Sequence, residues 1–177
     1  IFTLKMQRKN TPRSQASGLT SADTDIGESV RVCVRCRPLN EKEISANDES
    51  CVSVSNSQSL QLLLKSGSKN YRFHQVMGEK HSQGQMFSES GVHVLLDSVL
   101  DGYSACVFAY GQTSSGKTFT MTGPDLHDDE LSGIIPRMVY SIFDSISNSD
   151  PCIEFTVKVS YCEIYLEKIR DLLNTHK

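Results

Sequence analysis

The 177 residues contain no tryptophan, and no apolar run approaches the length of a membrane span, so no membrane insertion is expected. There is no secretory apolar core near the start and no N-glycosylation sequon. The five histidines are scattered without metal-ligand spacing, which argues against a zinc-type site. Six cysteines stand at positions 33, 36, 51, 106, 152 and 162, but only Cys33 and Cys36 form a C-x-x-C pair. Those two lie three apart in a strand-like run, so they point to opposite faces. The cysteines therefore read as reduced thiols used as small hydrophobes, and not as a disulfide framework. A positive excess is lacking too. Net charge is −3, with +1 on residues 1–28 and −4 on residues 29–177, which speaks against a nucleic-acid surface. The chain starts at Ile1 and not at a methionine, and a helix-like segment shortly precedes Lys177; it reads as a piece of something longer.

Against these absences one stretch stands out. Gly111-Gln112-Thr113-Ser114-Ser115-Gly116-Lys117-Thr118 fits the phosphate-loop pattern G-x-x-x-x-G-K-[ST] at every required position. Glycines allow the backbone to curl around a polyphosphate, so that successive N–H groups and the next helix start face the anion. Lys117 is expected to reach the outer phosphates as a point charge, and the Thr118 hydroxyl to ligate Mg²⁺. Ala105-Cys106-Val107-Phe108-Ala109-Tyr110 leads into the loop as a short apolar run of buried-strand type.

Residues 1–28 are polar, rich in Ser and Thr, and without a sustained apolar period; they read as a disordered leader ahead of a folded region over 29–177. In the run from Val30 to Cys36, alternate residues face opposite ways: Arg31, Cys33, Arg35 and Arg37 share one face, and Pro38 ends the strand. Strand candidates at 51–54, 60–64 and 71–73, with a Ser66-Gly67-Ser68 turn, predict a small antiparallel arm. Ser82 to Leu100 reads as one helix with Ser82 as N-cap and Gly102 beyond its end. Gly123-Pro124 breaks the helix after the loop, and an acidic insertion runs from Asp125 to Glu130. A helical stripe follows at Ile135, Met138, Val139, Ile142, Phe143 and Ile146, then a long alternating strand at Ile153, Phe155, Val157, Val159 and Tyr161. Strands and helices in this order around a phosphate loop imply an α/β layered sheet.

Other candidates have two readings each. Arg35 and Arg37 could stack on an adenine ring, or could be solvated arginines on a half-buried strand. Phe119 could touch the base, or could be an ordinary core phenylalanine. Glu163 sits mid-pattern in a strand, with Ile164 and Tyr165 following, which does not suit a metal-shell carboxylate.

The loop with its flanks, Leu100-Asp101-Gly102-Tyr103 through Met121-Thr122-Gly123, resembles the kinesin motor domain. Arg35-Cys36-Arg37-Pro38 looks like that family's R-x-R-P motif. Gly133-Ile134-Ile135-Pro136-Arg137, Ser160-Tyr161-Cys162-Glu163-Ile164-Tyr165 and Asp171-Leu172-Leu173 look like further signatures in family order. The Thr-Ser-Ser variant of the loop and the segment from Glu163 to Leu173 are most similar to conventional kinesin heavy chains; His74, where these usually carry aspartate, is a departure. The resemblance implies a P-loop NTPase-type three-layer mixed β-sheet flanked by helices, with a small antiparallel β-arm. It implies ATP and Mg²⁺ as ligands, with Arg35, Arg37, Pro38 and Phe119 on the adenine side and Glu163 as a sheet residue. It implies microtubules as partner, a homodimer in the full-length protein, and a place on the cytoskeleton in the cytoplasm. The family's N-x-x-S-S-R-S-H and D-x-x-G-S-E switch segments do not occur in this sequence, and neither do segments like its main microtubule-binding loops or neck linker. The expectation is thus the N-terminal half of a motor domain, with no catalytic residue of its own and little activity in isolation. A truncated nucleotide-binding module and a small-molecule P-loop kinase are the alternatives; only Arg137 and Arg170 follow the loop, which is thin for a kinase lid.

Overall fold

The computed structural model describes the main chain of residues 2–9 and all of residues 30–126 and 128–174. Among the described residues eight strands and five helices follow in chain order: β1 (Phe2–Lys9), β2 (Cys33–Arg35), α1 (Glu41–Ser45), β3 (Val52–Asn56), β4 (Ser59–Leu64), β5 (Gly67–Arg72), β6 (Gln75–Met77), α2 (Gln83–Glu89), α3 (Val92–Leu100), α4 (Lys117–Met121), α5 (Ile134–Ser147), β7 (Glu154–Tyr165) and β8 (Lys168–Asp171). They fall into two compact units. One holds β1, residues 94–106 and the chain from Ser141 on; the other holds residues 30–93 and 107–140.

In the first unit β7 pairs antiparallel with β1 on one side and β8 on the other. The strand β1 corrects the expectation of a disordered leader over its first residues; positions 10–28 of that leader lie outside the described residues. Its sequence FTLKMQRK alternates with period 2, and the register sets Phe2, Leu4 and Met6 opposite Tyr161, Val159 and Val157. The helix-like segment expected near the end is instead β8. It is joined to β7 by a two-residue turn in which Leu166 (φ 46) and Glu167 (φ 63) both have positive φ. Positive φ at both central residues matches the right-handed twist of a hairpin.

The second unit contains the phosphate loop. β2 and β6 run parallel, pairing Cys33 with Gln75 and Arg35 with Met77. The expected arm is present as the antiparallel sheet β3–β4–β5. The single helix expected from Ser82 divides into α2 and α3, with the backbone turning left-handed at Gly91 (φ 79). Ser82 caps α2 as expected: its side chain accepts from the Gln85 N–H while the Gln85 side chain accepts from the Ser82 N–H. Met77, Met86, Val92 and Ile134 form the buried core, with Cys33, Phe87, Val107, Met121 and Met138 packed around them. None of the six cysteines forms a disulfide.

The acidic insertion is closed at its base. Gly133 N–H donates to the Thr122 carbonyl across 3.0 Å. Arg137, on α5, donates from Nε to the Ser132 carbonyl at 3.0 Å and from Nη2 to the Asp129 and Glu130 carbonyls. The Asp128 carboxylate accepts from the Glu130 N–H at 2.8 Å.

Candidate functional site

The loop from Gly111 to Thr118 follows residues 105–110, which belong to no helix or strand, and runs into α4. Its curl depends on two glycines. A Cβ on Gly111 would collide with the Ser115 hydroxyl and lie 3.1 Å from the Ser115 Cβ, so the close approach of these two turns excludes a larger residue. Gly116 occupies the left-handed region (φ 95) as N-cap of α4 and gives it no side-chain cap bond. Ser114 also has positive φ, at 63, which is uncommon for a residue with a Cβ. The Ser115 N–H closes back on the Gln112 carbonyl at 3.2 Å.

Lys117 arches over the loop. Its Nζ donates to the Gly111 carbonyl at 2.8 Å and to the Gln112 carbonyl at 2.7 Å, which uses two of an ammonium's three N–H groups. Thr118 and Phe119 are exposed on the next turn of α4. A flexible ammonium above a main-chain cradle, with a hydroxyl beside it, is a donor set that suits a polyphosphate and its hard cation.

The apolar run before the loop departs from expectation. Ala105–Tyr110 joins no strand ladder among the described residues, and Phe108 and Tyr110 are 87% and 100% exposed. A buried strand needs hydrogen-bonding neighbours for its main chain, and among the described residues the ladder of β2 and β6 is the one they share with each other.

The structure brings Arg35, Arg37 and Phe119 to the loop but gives the two arginines different tasks. Arg35 is half-buried, with its guanidinium 5.1 Å from the centre of the Phe119 ring. It donates to Gln83 Oε1 at 2.7 Å, Thr120 Oγ1 at 3.1 Å and the His81 carbonyl at 3.3 Å. Burial lowers its pKa from the ordinary arginine value. Arg37 donates from Nε to the Ser114 carbonyl at 2.9 Å and from Nη1 to the Pro38 carbonyl at 2.7 Å. It also grips Glu43 through two bonds, of 2.7 and 2.6 Å. That fork holds the Glu43 carboxyl at about 2, with the Asn40 N–H assisting, and raises the pKa of Arg37 in turn. Pro38 is exposed beside them. Glu163 lies within β7 opposite Arg170, a sheet residue.

Sequence reasoning passed over Gln83. It is 4% exposed, and its amide nitrogen donates to the Phe119 carbonyl at 2.6 Å and the Leu131 carbonyl at 3.1 Å while its oxygen receives Arg35. It thereby ties β2, the helix after the loop and the base of the insertion together. Its only signal was a place directly behind the Ser82 cap. Glu43 was passed over too, although Asn40-x-x-Glu43 is a legible capping pair.

The family model described as Kinesin motor domain matches residues 35–177. The kinesin heavy chain of Syncephalastrum racemosum is 46% identical over 149 residues, covering 84% of this chain and 16% of that protein. Kinesin-1 heavy chain of Homo sapiens is 45% identical over 154 residues, covering 86% of this chain and 15% of that protein. A solved structure described as a fast kinesin superposes with a TM-score of 0.78 at 40% identity, over 82% of this chain and 41% of that one. The chain therefore spans about 15–16% of the length of these curated relatives and less than half of the solved structure. The likeness assigns the P-loop NTPase-type α/β fold, with this chain an incomplete piece of it. The chain belongs to the kinesin motor domain family.

Proposed function

We propose that the protein is a microtubule-based motor that binds MgATP on the loop from Gly111 to Thr118 and, in the longer chain, hydrolyses it to drive movement. The observation that carries this is Lys117 held above the curled main chain by the Gly111 and Gln112 carbonyls. A side chain already placed over the cradle can turn its charge to an incoming phosphate without refolding the loop. The likeness to a structure described in terms of ATPase mechanism and microtubule interactions supports the same assignment.

In this assignment the N–H groups from Gln112 to Thr118 and the Lys117 ammonium hold phosphate, and the Thr118 hydroxyl holds Mg²⁺. When bound, the metal supplies charge neutralisation to the phosphates. Phe119, Pro38 and Arg35 frame the adenine; the Phe119 face offers the base a stacking surface backed by the Arg35 cation. Arg37, the other arginine of that motif, is bonded to the Ser114 carbonyl of the loop. The residues that sense the γ-phosphate belong to the two switch segments, which this sequence does not contain. The 177 residues alone therefore bind nucleotide weakly and do not turn it over in response to microtubules. The full-length protein is a cytoskeletal homodimer whose partner face lies outside this acidic stretch.

Equilibrium titration with a fluorescent ATP analogue and Mg²⁺ tests the assignment. Lys117→Ala is expected to weaken binding by about 100-fold, the scale of a charge-assisted phosphate contact. Equal affinity in the variant, or microtubule-stimulated phosphate release from these residues alone, would contradict it.

A further inference from the structure

We infer that Arg37 is a positioning residue that pins the phosphate loop from behind, its guanidinium held by Glu43 and its Nε–H fixed on the carbonyl of left-handed Ser114. Four of its five N–H groups are spent on the protein. Nε goes to Ser114, Nη1 to Pro38 and Glu43, and one Nη2 hydrogen to Glu43. A fork committed in this way keeps a single Nη2 hydrogen uncommitted and its plane fixed on Glu43 and Ser114, whereas the neighbouring Arg35 lies over the exposed Phe119 ring.

The anchor of the pin is a helix start. Glu43 is the third residue of α1, and its Oε2 accepts both from the Asn40 N–H at 2.8 Å and from Arg37. The Asn40 side chain returns the bond to the Glu43 N–H, so the carboxylate is located by the main chain on which it sits. A rigid line therefore runs from the α1 cap through Glu43 and Arg37 to Ser114, joining positions 77 apart in sequence. Its end point is a residue with a Cβ held at φ 63, a conformation that needs outside support. The line thus selects the backbone shape in which the following N–H groups converge.

The functional consequence rests on the nucleotide assignment above; the pin itself concerns only the shape of the loop. Two readouts on the full-length chain keep them apart. The first is amide hydrogen exchange of residues 112–116 without added nucleotide. Arg37→Lys keeps the charge but cannot reach Ser114 and both Glu43 oxygens together, and about fivefold faster exchange is expected. Glu43→Ala, which reaches the loop only through Arg37, should act the same way and add little to Arg37→Lys. The second readout is affinity for a fluorescent MgATP analogue. Arg37→Lys is expected to weaken it about tenfold, the value of one charge-assisted hydrogen bond. Adding Ser114→Gly, which tolerates positive φ unaided, should return Arg37→Lys to within about threefold of Ser114→Gly alone. Unchanged exchange in Arg37→Lys overturns the pin. So does weakened binding that Ser114→Gly fails to rescue, because Arg37 would then act on the ligand directly. If the unmodified protein binds no nucleotide, the assignment fails while the exchange result still decides the pin.

Discussion

Glu43 shows how much one side chain can settle. Its carboxyl is held at about 2, below the ordinary 4.5, first by the Arg37 bond and then by the Asn40 N–H. A group whose pKa is lower in the folded chain stabilises fully above its unfolded value and stops doing so as pH falls through the folded one. Thermal unfolding of the native chain and Glu43→Gln is expected to differ by a constant margin near neutrality. The margin should shrink between about pH 4.5 and 2; one that widens on acidification would contradict the pairing. At this scale the curl of the loop is legible, because the pattern G-x-x-x-x-G-K-[ST] puts glycine at the two positions where the backbone turns most tightly. The division of labour between Arg35 and Arg37 was not, since strand alternation puts both on one face and says nothing of what lies opposite. Gln83 was invisible for a related reason: a buried amide is chosen by the three backbone and side-chain groups it meets, and those come from positions 35, 119 and 131.

Among the elements, those that advertise their ends were read best. Ser82 with Gln85 marks the start of α2, and Ser82→Ala is expected to cost about 1 kcal/mol in urea or thermal unfolding. A cost near zero would show that neighbouring packing holds the helix start without the cap. The break between α2 and α3 at Gly91 was missed because the apolar spacing continues through it. The hairpin between β7 and β8 was missed because its turn uses Leu166 and Glu167 where hairpins usually advertise Asn-Gly. In β1 the period-2 pattern of Phe2, Leu4 and Met6 is short, and the long polar stretch after it masked the signal.

At the scale of the whole molecule, the described residues form sheets of three, two and three strands. The segment from Ala105 to Tyr110 has the composition of a central strand but leaves Phe108 and Tyr110 in solvent. Composition records what a strand is suited to, and pairing needs a neighbour; this chain covers only 41% of the solved motor it matches. In a chain extended through the rest of the motor domain, amides 105–110 are expected to exchange at least about tenfold more slowly than in these 177 residues. Equal rates would show that the segment stays unpaired in the longer protein. The closed base of the acidic insertion has a use at this scale. Thr122 and Gly133 are already hydrogen-bonded and Arg137 clips the returning segment, so the entry and exit of the excursion are fixed. A fluorescent reporter or an epitope grafted into the excursion would begin and end at the same two points, making it a natural splice site on the segment that directly follows α4.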